Sequence, residues 1–489
     1  MRFLKITALF IFISATFVAC KKDFEGEPNN SGAPETYMVV DSIYRSGDNR
    51  YTTTVVAHWW GSVTSGFIKG YEVSTDDMLT WNFTDKQSGT FLLTLPTGSD
   101  TADIRIFVRA INEKGVADPT PASTSYPVRN TAPTANFDYS TGIKSSSFPA
   151  FRYNWKLQDI DGLNDISQLE IGLNDTITNT ITLPATVSAA TFVAEQINGV
   201  FTGKYLIYTN NQTSANSQKI SGGLPNDTNT IFIRCKDRTG AVSGWDKTKL
   251  YVRQPKNGLL FINDYTNSKS IVSSFYSKRM DSLGANFTNY DKVNDLLGEF
   301  PTDEFTSSKT FEFFNKIIWV SEDPTRSLGI AQNATLPFFN NGGKMFMVLE
   351  IPNDVPLDAQ FFSFTPIERL IDNPGRSFRM SNGDQLYPYN NTWPTLKATS
   401  IITYPRPFLT YTSSSGLYSY DSLARADLRS FGSGGSPAWT GASNVMAKRI
   451  NTQLNKTDIV TLTVPLHLMN GNNNVDEFFR KVVLTELEF

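Results

Sequence analysis

The sequence predicts a multidomain protein in which two all-β sandwiches precede an α/β three-layer domain with a mostly parallel sheet. At about 150 residues per domain, a chain of 489 residues has room for about three domains. Short alternating strands that end at turn residues fill the first half of the chain. In the second half, compact apolar runs alternate with helical segments, which is typical of a parallel sheet covered on both faces.

The N-terminus has the pattern of a signal peptide. Arg2 and Lys5 introduce a mostly apolar run that is shorter than the roughly 20 residues a membrane-spanning helix needs. The run ends in the letters FVAC, which resemble a bacterial lipobox with Phe17 in place of the usual Leu. This resemblance implies a lipoprotein signal peptide over residues 1–19, cleavage before Cys20 and a lipid on that thiol. An ordinary secretory signal with a chance cysteine is the alternative.

A polar segment over residues 20–35 follows the signal peptide. Its Pro, Gly, Asn and acidic residues cannot bury apolar area, so the sequence predicts a flexible tether. Asp23 and Glu25 resemble the surface-export signal of Bacteroidota lipoproteins. The resemblance implies an outer membrane lipoprotein on the cell surface, for which the membrane is a partner through Cys20.

The overall charge is mildly acidic. The formal charge of −3 becomes −5 when the two basic residues of the signal peptide are removed. This balance argues against a nucleic-acid partner. Charged residues are 19% and aromatic residues 13% of the chain, which fits a secreted, strand-rich protein able to present aromatic surfaces.

The chain has two cysteines, Cys20 and Cys235. If Cys20 carries a lipid, Cys235 has no partner cysteine and no internal disulfide is possible. Cys235 alternates with Ile231 and Ile233, so it is predicted to be a small buried apolar residue rather than a nucleophile or a metal ligand.

The first sandwich is predicted over residues 36–130. Its strands are visible in "TTVVAHWWGS", "IKGYEVSTDD" and "TADIRIFVRAINEKG". The stretch "HWWGSVTSGFIKGYEVSTDDMLTW" resembles fibronectin type III-like domains of Bacteroidota lipoproteins. His58 ends one of these strands with no other His or Cys near it, so we expect a strand residue rather than a ligand.

The second sandwich, which we expect to be immunoglobulin-like, is predicted over residues 131–254. "FRYNWKLQDIDGLNDISQLEIGLND" repeats the order of a Trp-bearing strand, a turn and an alternating strand. "IRCKDRTGAVSGW" repeats the closing hairpin "VRAINEKGVADP" of the first sandwich. The repetition indicates a tandem of two related sandwiches.

A turn in the second sandwich is a candidate calcium site. The letters DIDGLND place oxygen ligands close together at Asp159, Asp161, Asn164 and Asp165, which suits Ca²⁺. The turn lacks the longer register and the distal Glu of an EF-hand. Asp and Gly also satisfy turn geometry without any metal, so a plain turn is the alternative. No other cofactor is expected.

The C-terminal part, over residues 256–489, alternates apolar runs with helices. The runs are "GLLFIND", "NKIIWVSED", "KMFMVLE" and "DIVTLTVPLHL", and helices are expected before Gly284, before Gly342 and at the C-terminus. "FIND", "FFNNGGKMFMVLE" and "TVPLHL" with the terminal helix resemble the class I glutamine amidotransferase-like fold, which is flavodoxin-like in outline. Residues 354–458 match poorly and are interpreted as insertions and loops.

The resemblance does not extend to the catalytic triad. Such an amidotransferase needs a Cys on a tight turn after a strand, a His, and a Glu two residues after that His. Here "KMFMVLE" runs into Ile351 and Pro352, without a Cys or Ser. His467 stands at the family's histidine place, but Leu468 and Met469 follow it where the family has Pro and Glu. Cys-dependent amidotransferase activity is therefore excluded.

Polar residues at the predicted strand ends form a candidate ligand cleft, because ligands bind beyond the carboxyl ends of strands in open α/β sheets. These residues are Asp264, Glu322, Asp323, Glu350 and His467. Loops with Tyr265 and Tyr420 are expected nearby.

The sequence favours a non-catalytic binding or scaffold protein with a glycan or protein ligand. The alternative is a hydrolase that uses the acidic strand ends, since glycoside chemistry needs two carboxylates about 5–10 Å apart. Acidic residues at strand ends are also common as solvated helix caps, and His467 would then be a hydrogen-bonded strand-end residue.

Overall fold

The computed structural model describes residues 32–45, 52–96, 99, 101–160, 163–412 and 416–489. The signal peptide, Cys20, Asp161 and most of the tether lie outside these residues. The described chain divides into two compact units. One unit contains the described residues up to Thr134 with Gln158–Ser167 and Lys236–Ser243, and the other contains Ala135–Leu157, Gln168–Cys235 and Gly244–Phe489.

The first sandwich is built from two antiparallel sheets with the orders β1-β2-β5 and β4-β3-β6-β7. Its strands are β1 (Glu35–Arg45), β2 (Thr52–Ser62), β3 (Ile68–Ser74), β4 (Asn82–Thr84), β5 (Ser88–Thr94), β6 (Thr101–Asn112) and β7 (Ala122–Arg129). On β2, Ala57 and Trp59 are buried while His58 and Trp60 are exposed, the two-residue period of a half-buried strand. The predicted all-β sandwich is confirmed here, and His58 lies on a strand as expected.

The second sandwich has two five-stranded sheets with the orders β15-β14-β13-β10-β8 and β12-β11-β16-β17-β9. Its strands are β8 (Thr134–Phe137), β9 (Ser146–Ser147), β10 (Ala150–Gln158), β11 (Ile166–Leu173), β12 (Thr180–Pro184), β13 (Ala189–Ile197), β14 (Val200–Thr209), β15 (Lys219–Ser221), β16 (Asp227–Asp237) and β17 (Asp246–Val252). Trp155 and Cys235 are buried in it, so Cys235 is the small apolar core residue that its alternation predicts.

The C-terminal part contains a nine-stranded sheet with the order β19-β18-β20-β21-β30-β29-β27-β24-β25. The strands are β18 (Leu259–Asp264), β19 (Asp291–Val293), β20 (Lys316–Ser321), β21 (Lys344–Leu349), β22 (Ile367–Leu370), β23 (Ser377–Arg379), β24 (Gln385–Pro388), β25 (Leu396–Lys397), β26 (Phe408–Thr410), β27 (Tyr418–Ala426), β28 (Arg429–Phe431), β29 (Asn444–Asn451) and β30 (Lys456–Leu462). Strands β19, β18, β20, β21 and β30 are parallel neighbours.

Five helices lie between β18 and β21 in the chain, and a sixth follows β30. The first five are α1 (Lys269–Ser282), α2 (Leu296–Glu299), α3 (Glu304–Phe311), α4 (Leu328–Ala334) and α5 (Leu336–Asn340), and the sixth is α6 (Val475–Arg480). The α6 helix continues as a π-helical segment over Lys481–Glu486. Within the described part of the chain, no helix is long and apolar enough to cross a membrane.

Alternate residues of the central strands enter two separate cores. Phe261 on β18 packs in one core with Tyr276 of α1 and Phe479 of α6. Leu260 packs in the other with Phe311 of α3 and Phe338 of α5. Because both faces are covered, all six residues of β18 are buried, which explains its continuous apolar run.

Two details of the predicted sheet are wrong. The sheet is not mostly parallel, because four of its eight neighbouring pairs are antiparallel. The supposed insertions over residues 354–458 supply strands, of which β24, β25, β27 and β29 extend the sheet. These strands escape a sequence pattern because they are short or half-exposed; on β27 only Ala424 and Ala426 are buried.

The last predicted strand also ends earlier than expected. Strand β30 ends at Leu462, and Leu466–Leu468 form a 3-10 turn that carries His467. Pro465, which precedes this turn, has no N–H to donate to a sheet. His467 is therefore a turn residue beyond the strand.

The second sandwich and the C-terminal sheet share apolar contacts within one compact unit. Phe148 lies between β9 and β10, and its ring centroid is 5.0 Å from that of Phe314 and 6.2 Å from that of Phe300. Tyr208 on β14 makes a similar contact of 4.9 Å with Phe305 on α3. Phe148 thus belongs to the hydrophobic core around α3, and Tyr208 packs against Phe305 in a smaller cluster.

Candidate functional site

A groove of about 490 Å³ lies at the carboxyl ends of β18, β20 and β21. Parallel strands end at one edge of a sheet, so the loops that follow them meet there. The groove is lined by Thr266, Asn267, Glu322, Asp323, Arg326, Glu350, Thr403 and Tyr404. Three of the five predicted cleft residues, the acidic Glu322, Asp323 and Glu350, therefore line a single groove.

Glu322 is held by the loop that follows β18. Its Oε1 accepts the backbone N–H of Thr266 at 2.7 Å and that of Asn267 at 3.0 Å. The hydroxyl of Thr266 donates to the same oxygen. These donors fix the carboxylate and join the end of β20 to the end of β18.

Glu350 is paired with a buried tyrosine. The hydroxyl of Tyr265 donates to Glu350 Oε1 at 2.7 Å, and Tyr265 is only 3% exposed. Burial raises the pKa of Glu350; the hydrogen bond from Tyr265 lowers it, and the neighbouring Glu322 carboxylate raises it. Burial, and then the charge of Glu350, raise the pKa of Tyr265 well above its ordinary value, so Tyr265 remains a protonated donor.

Asp323 has a local structural task. It caps the 3-10 turn Pro324–Arg326, because its Oδ1 accepts the N–H of Thr325 at 3.0 Å and the hydroxyl of Thr325 at 2.6 Å. Arg326 lies 3.8 Å from Asp295 in a weak ion pair. Asp323 thus shapes the groove wall with one of its oxygens already occupied.

Asp264 lies at the end of β18 but does not line the groove. It is 2% exposed, and its Oδ2 accepts the hydroxyl of Ser327 at 2.5 Å. Its Oδ1 accepts the N–H of Leu296 at 3.4 Å, at the start of α2. Burial raises the pKa of Asp264, and the bond from Ser327 lowers it. Asp264 therefore joins two helical segments to the sheet.

His467 is half-buried beside Tyr265. Its ring centroid is 5.6 Å from that of Tyr265 and 6.2 Å from that of Phe275, both in edge contact. Burial lowers the pKa of His467 to about 4. Among the described residues, its Nδ1 has no hydrogen-bond partner. A neutral imidazole without an orienting carboxylate lacks the arrangement of a triad base.

The nucleophile position has neither a thiol nor a hydroxyl side chain, and Tyr420 does not line the groove. Glu350, Ile351 and Pro352 directly follow β21, where a nucleophile would stand. Cys235 is buried in β16 of the second sandwich. Tyr420 lies on β27 and contacts Tyr411 at 4.9 Å, away from the groove lining.

Other groove residues were not found from the sequence. Tyr404 and Thr403 come from the segment that was interpreted as an insertion, and the ring of Tyr404 is 40% exposed. Arg326 ends the turn that Asp323 caps. No periodic pattern marks these positions, because their place in the groove depends on how the segment folds back over the sheet.

The candidate calcium turn is only partly described, since Asp161 lies outside the described residues. Leu163–Asp165 form a 3-10 turn, and the carbonyl of Asp165 accepts the N–H of Arg238 at 2.8 Å. The residues that the structure describes contain no group of three or more His, Cys, Asp or Glu that could hold a metal ion. The calcium site stays a prediction.

No family model and no curated protein matches the chain. Solved structures similar to it are fibronectin type III proteins. The fibronectin(III)-like modules of Clostridium thermocellum CbhA are 13% identical and cover 45% of this chain and 95% of their own, with a TM-score of 0.18. The chicken CNTN1 FN1–FN3 domains are 7% identical and cover 86% and 99%, with a TM-score of 0.19.

A two-domain fibronectin type III segment of chicken tenascin is 12% identical and covers 45% of this chain and all of its own length, with a TM-score of 0.18. TM-scores this low support no conclusion about the fold or the function of this chain. The two β-sandwiches are defined by the chain's own sheets.

Proposed function

We propose that the protein is a surface lipoprotein that binds a polyhydroxylated ligand such as a glycan in the strand-end groove, without catalysing a reaction. One observation carries the proposal. Glu322 and Glu350 are oriented by fixed donors in an open groove, whereas His467 is half-buried and its lowered pKa keeps it neutral at pH 7. Carboxylates with free lone pairs accept sugar hydroxyls, and the exposed ring of Tyr404 offers a face for stacking.

The domain organisation supports a degenerate amidotransferase-like domain over residues 256–489, following sandwiches over 36–130 and 131–254. In chain order the five parallel strands are arranged 2-1-3-4-5, which is the flavodoxin-like order. In that arrangement ligands bind at the carboxyl ends of the strands, where the groove lies. The third domain would then retain the family's binding position without its triad.

Glycan-array screening of the chain from Cys20 onward tests the binding proposal. We expect retained glycans whose binding falls at least tenfold in Glu350→Gln or Tyr404→Ala, since hydrogen bonds to a charged acceptor contribute about 1.5–3 kcal/mol. Glu477→Gln changes an exposed acid on α6 and is the matched control. A blank array removes a glycan ligand, and retention on immobilised surface proteins instead would point to a protein ligand.

The lipid anchor on Cys20 has a separate test. In cells fed an alkyne-labelled fatty acid, the chain should become labelled and fractionate with the outer membrane. Cys20→Ser should lose both properties, whereas Cys235→Ser, a change in the sandwich core, should retain the label. Equal labelling of Cys20→Ser would rule out the anchor.

A hydrolase is the second candidate, because burial raises the pKa of Glu350, as a general acid requires. Glu322 would then act as the second carboxylate. This candidate predicts turnover of a glycoside substrate that Glu350→Gln abolishes. If a broad panel of glycosides gives no turnover, the binding proposal remains.

A further inference from the structure

The outer face of the β1-β2-β5 sheet in the first sandwich exposes large apolar side chains. Strand β1 presents Tyr37 and Val39, which are 40% and 47% exposed, and β2 presents Trp60, which is 48% exposed. The register places Tyr37 opposite Trp60 and Val39 opposite His58, so these side chains lie on one side of the sheet. Tyr37, Val39 and Trp60 are called the aromatic face below.

The two rings of the aromatic face form a flat platform outside the core. Tyr37 and Trp60 stack with their centroids 5.6 Å apart and their planes 17° from parallel. The neighbouring Trp59 points the other way and is 2% exposed in the core of the sandwich. A stacked cross-strand pair stabilises a sheet, but rings that remain half exposed also gain free energy when a partner removes them from water.

Polar groups border the aromatic face at both ends. Asp41 Oδ2 lies 2.7 Å from His58 Nε2, and both side chains are exposed. At the other end, a hydrogen bond with Glu35 raises the pKa of the Tyr37 hydroxyl. Tyr and Trp have an apolar body and a polar tip, and they are enriched where hydrocarbon meets water at a membrane surface. The composition of the aromatic face therefore suits such an interface.

The place of the aromatic face in the chain indicates what covers it. The described chain begins at Gly32, twelve positions after Cys20 and five before Tyr37. Twelve residues span at most about 40 Å even when fully extended. A lipid on Cys20 would therefore keep Gly32 within that distance of the bilayer. A surface held so close meets the bilayer at a high effective concentration, so a weak intrinsic affinity is enough for docking.

The charges around the aromatic face favour a neutral lipid surface. Strands β2 and β5 contain no lysine or arginine, and β1 has only Arg45, its last residue. Glu35 and Asp41 are exposed beside the aromatic face. Attraction to anionic headgroups needs a cluster of basic residues, which these strands do not supply. The burial of apolar and aromatic surface remains as the driving force.

We propose that the aromatic face docks on the phospholipid surface to which the chain is anchored, with the rings of Tyr37 and Trp60 at the level of the headgroups. Docking turns the outer face of the β1-β2-β5 sheet toward the membrane and gives the first sandwich a fixed orientation there. The proposal rests on the lipid anchor of the proposed function, and it is independent of the strand-end groove.

Hydroxyl-radical footprinting of the chain from Cys20 onward tests the docking. Cys20 is coupled to maleimide lipids in phosphatidylcholine vesicles, and the reference is the same chain capped with a soluble maleimide. Cys235 is buried, so Cys20 is the thiol that reacts. Oxidation of Tyr37 and Trp60 should fall at least about threefold on the vesicles, because docked rings leave water. Phe83, an exposed ring on the other sheet, should be oxidised equally in both states.

Two charge variants show whether the aromatic face itself makes the contact. Val39→Asp introduces a charge between the polar borders and leaves both stacked rings in place. It should return the oxidation of Tyr37 and Trp60 on vesicles to the soluble value. Phe83→Asp places the same charge on the other sheet and should leave the protection intact. Both positions are exposed, so both variants should fold.

Salt separates apolar docking from attraction to charged headgroups. Protection of Tyr37 and Trp60 should persist in about 0.5 M NaCl, where the Debye length is only about 4 Å. Protection that requires phosphatidylglycerol and disappears at this salt concentration would contradict apolar docking.

Three further results would overturn the proposal. One is equal oxidation of Tyr37 and Trp60 on vesicles and in solution. The coupling supplies an anchor whether or not cells lipidate Cys20, so this failure is distinct from failure of the anchor, which fatty-acid labelling reports. Another is equal protection of Phe83, which would mean that the vesicle shields the whole sandwich. The third is protection in solution by a second copy of the chain or by a glycan, which would identify a different occupant.

Discussion

At the scale of single residues, His467 links burial to the pH dependence of stability. Burial lowers its pKa from 6.5 to about 4, because the buried site disfavours the charged imidazolium. Between these values the unfolded chain binds a proton that the folded chain does not. Above pH 6.5, protonation of His467 therefore does not affect stability. As the pH falls from 6.5 toward 4, it lowers the free energy of unfolding by at most about 3 kcal/mol.

His467→Leu should remove this contribution. Urea unfolding between pH 7 and pH 4 should show a free energy of unfolding that falls less steeply in the variant than in the wild type. The difference in slope matters here, since a change at pH 7 alone would report only packing. Equal slopes would show that His467 takes up its proton in the folded state with its ordinary pKa.

Tyr265 should stabilise the protein through Glu350. Tyr265→Phe leaves a half-buried carboxylate without its hydroxyl donor, which should cost about 1–3 kcal/mol at pH 7 and raise the pKa of Glu350 further. Tyr276→Phe is the control, because the Tyr276 hydroxyl is buried without a partner in the described chain. Denaturant unfolding at pH 7 should separate the two variants, and equal costs would contradict the assigned role.

The groove residues show what the sequence can predict at this scale. Glu322 and Glu350 could be predicted because each follows an apolar strand, and parallel strands end at one edge. The burial of Asp264 under α2 and the aromatic surroundings of His467 could not be predicted. They depend on which helix packs over each strand end, and Ser327 and Phe275 are distant in sequence.

At the scale of elements, the turn between α5 and β21 contains two glycines that are needed for different reasons. Gly342 has a φ of +81°, and a Cβ there would meet nothing within 4 Å. Gly343 has an ordinary φ, but its Cβ would lie 2.5 Å from the ring of Phe338. Gly342 is needed because its backbone is left-handed, and Gly343 is needed because a Cβ would overlap the ring of Phe338.

Substitutions should separate these two reasons. Gly342→Ala should cost about 1–2 kcal/mol because of the left-handed backbone, and Gly342→Asn less, since Asn tolerates that region. Gly343→Ala should be destabilising by overlap with Phe338, and Phe338→Leu should relieve part of that cost in a double-mutant cycle. Thermal unfolding measures both effects. Additive changes at Gly343 and Phe338 would contradict the overlap.

The elements that the sequence predicts well are the ones with continuous burial. Strands β18, β20 and β21 and helix α1 lie where their apolar patterns place them. The helix expected before Gly342 is instead divided into α4 and α5, which meet at Thr335. Pro337 follows this break, and its ring and missing N–H disfavour a continuous helix. Such breaks depend on single residues, and the helical period of apolar residues does not reveal them.

At the scale of the whole molecule, the second sandwich is more than a spacer before the C-terminal sheet. The ring of Phe148 is 1% exposed and belongs to the same core as Phe300 and Phe314. Arg253 of the sandwich lies over that ring at 4.3 Å and forms an ion pair with Glu299 at 3.6 Å. We therefore expect the two parts to unfold together.

Phe148→Ala tests this cooperativity in the intact chain. Removing the ring should cost about 3–5 kcal/mol and lower amide-exchange protection equally in β10–β17 and in β18–β21, because one core serves both. Phe83→Ala, which truncates a ring that is 56% exposed on β4, should change stability by less than about 0.5 kcal/mol. Loss of protection in the sandwich alone would mean that the sandwich folds independently, as a separable stalk. Loss in both parts would mean that any ligand of the strand-end groove also stabilises the sandwich, since binding to one cooperative body raises the free energy of unfolding of all its elements.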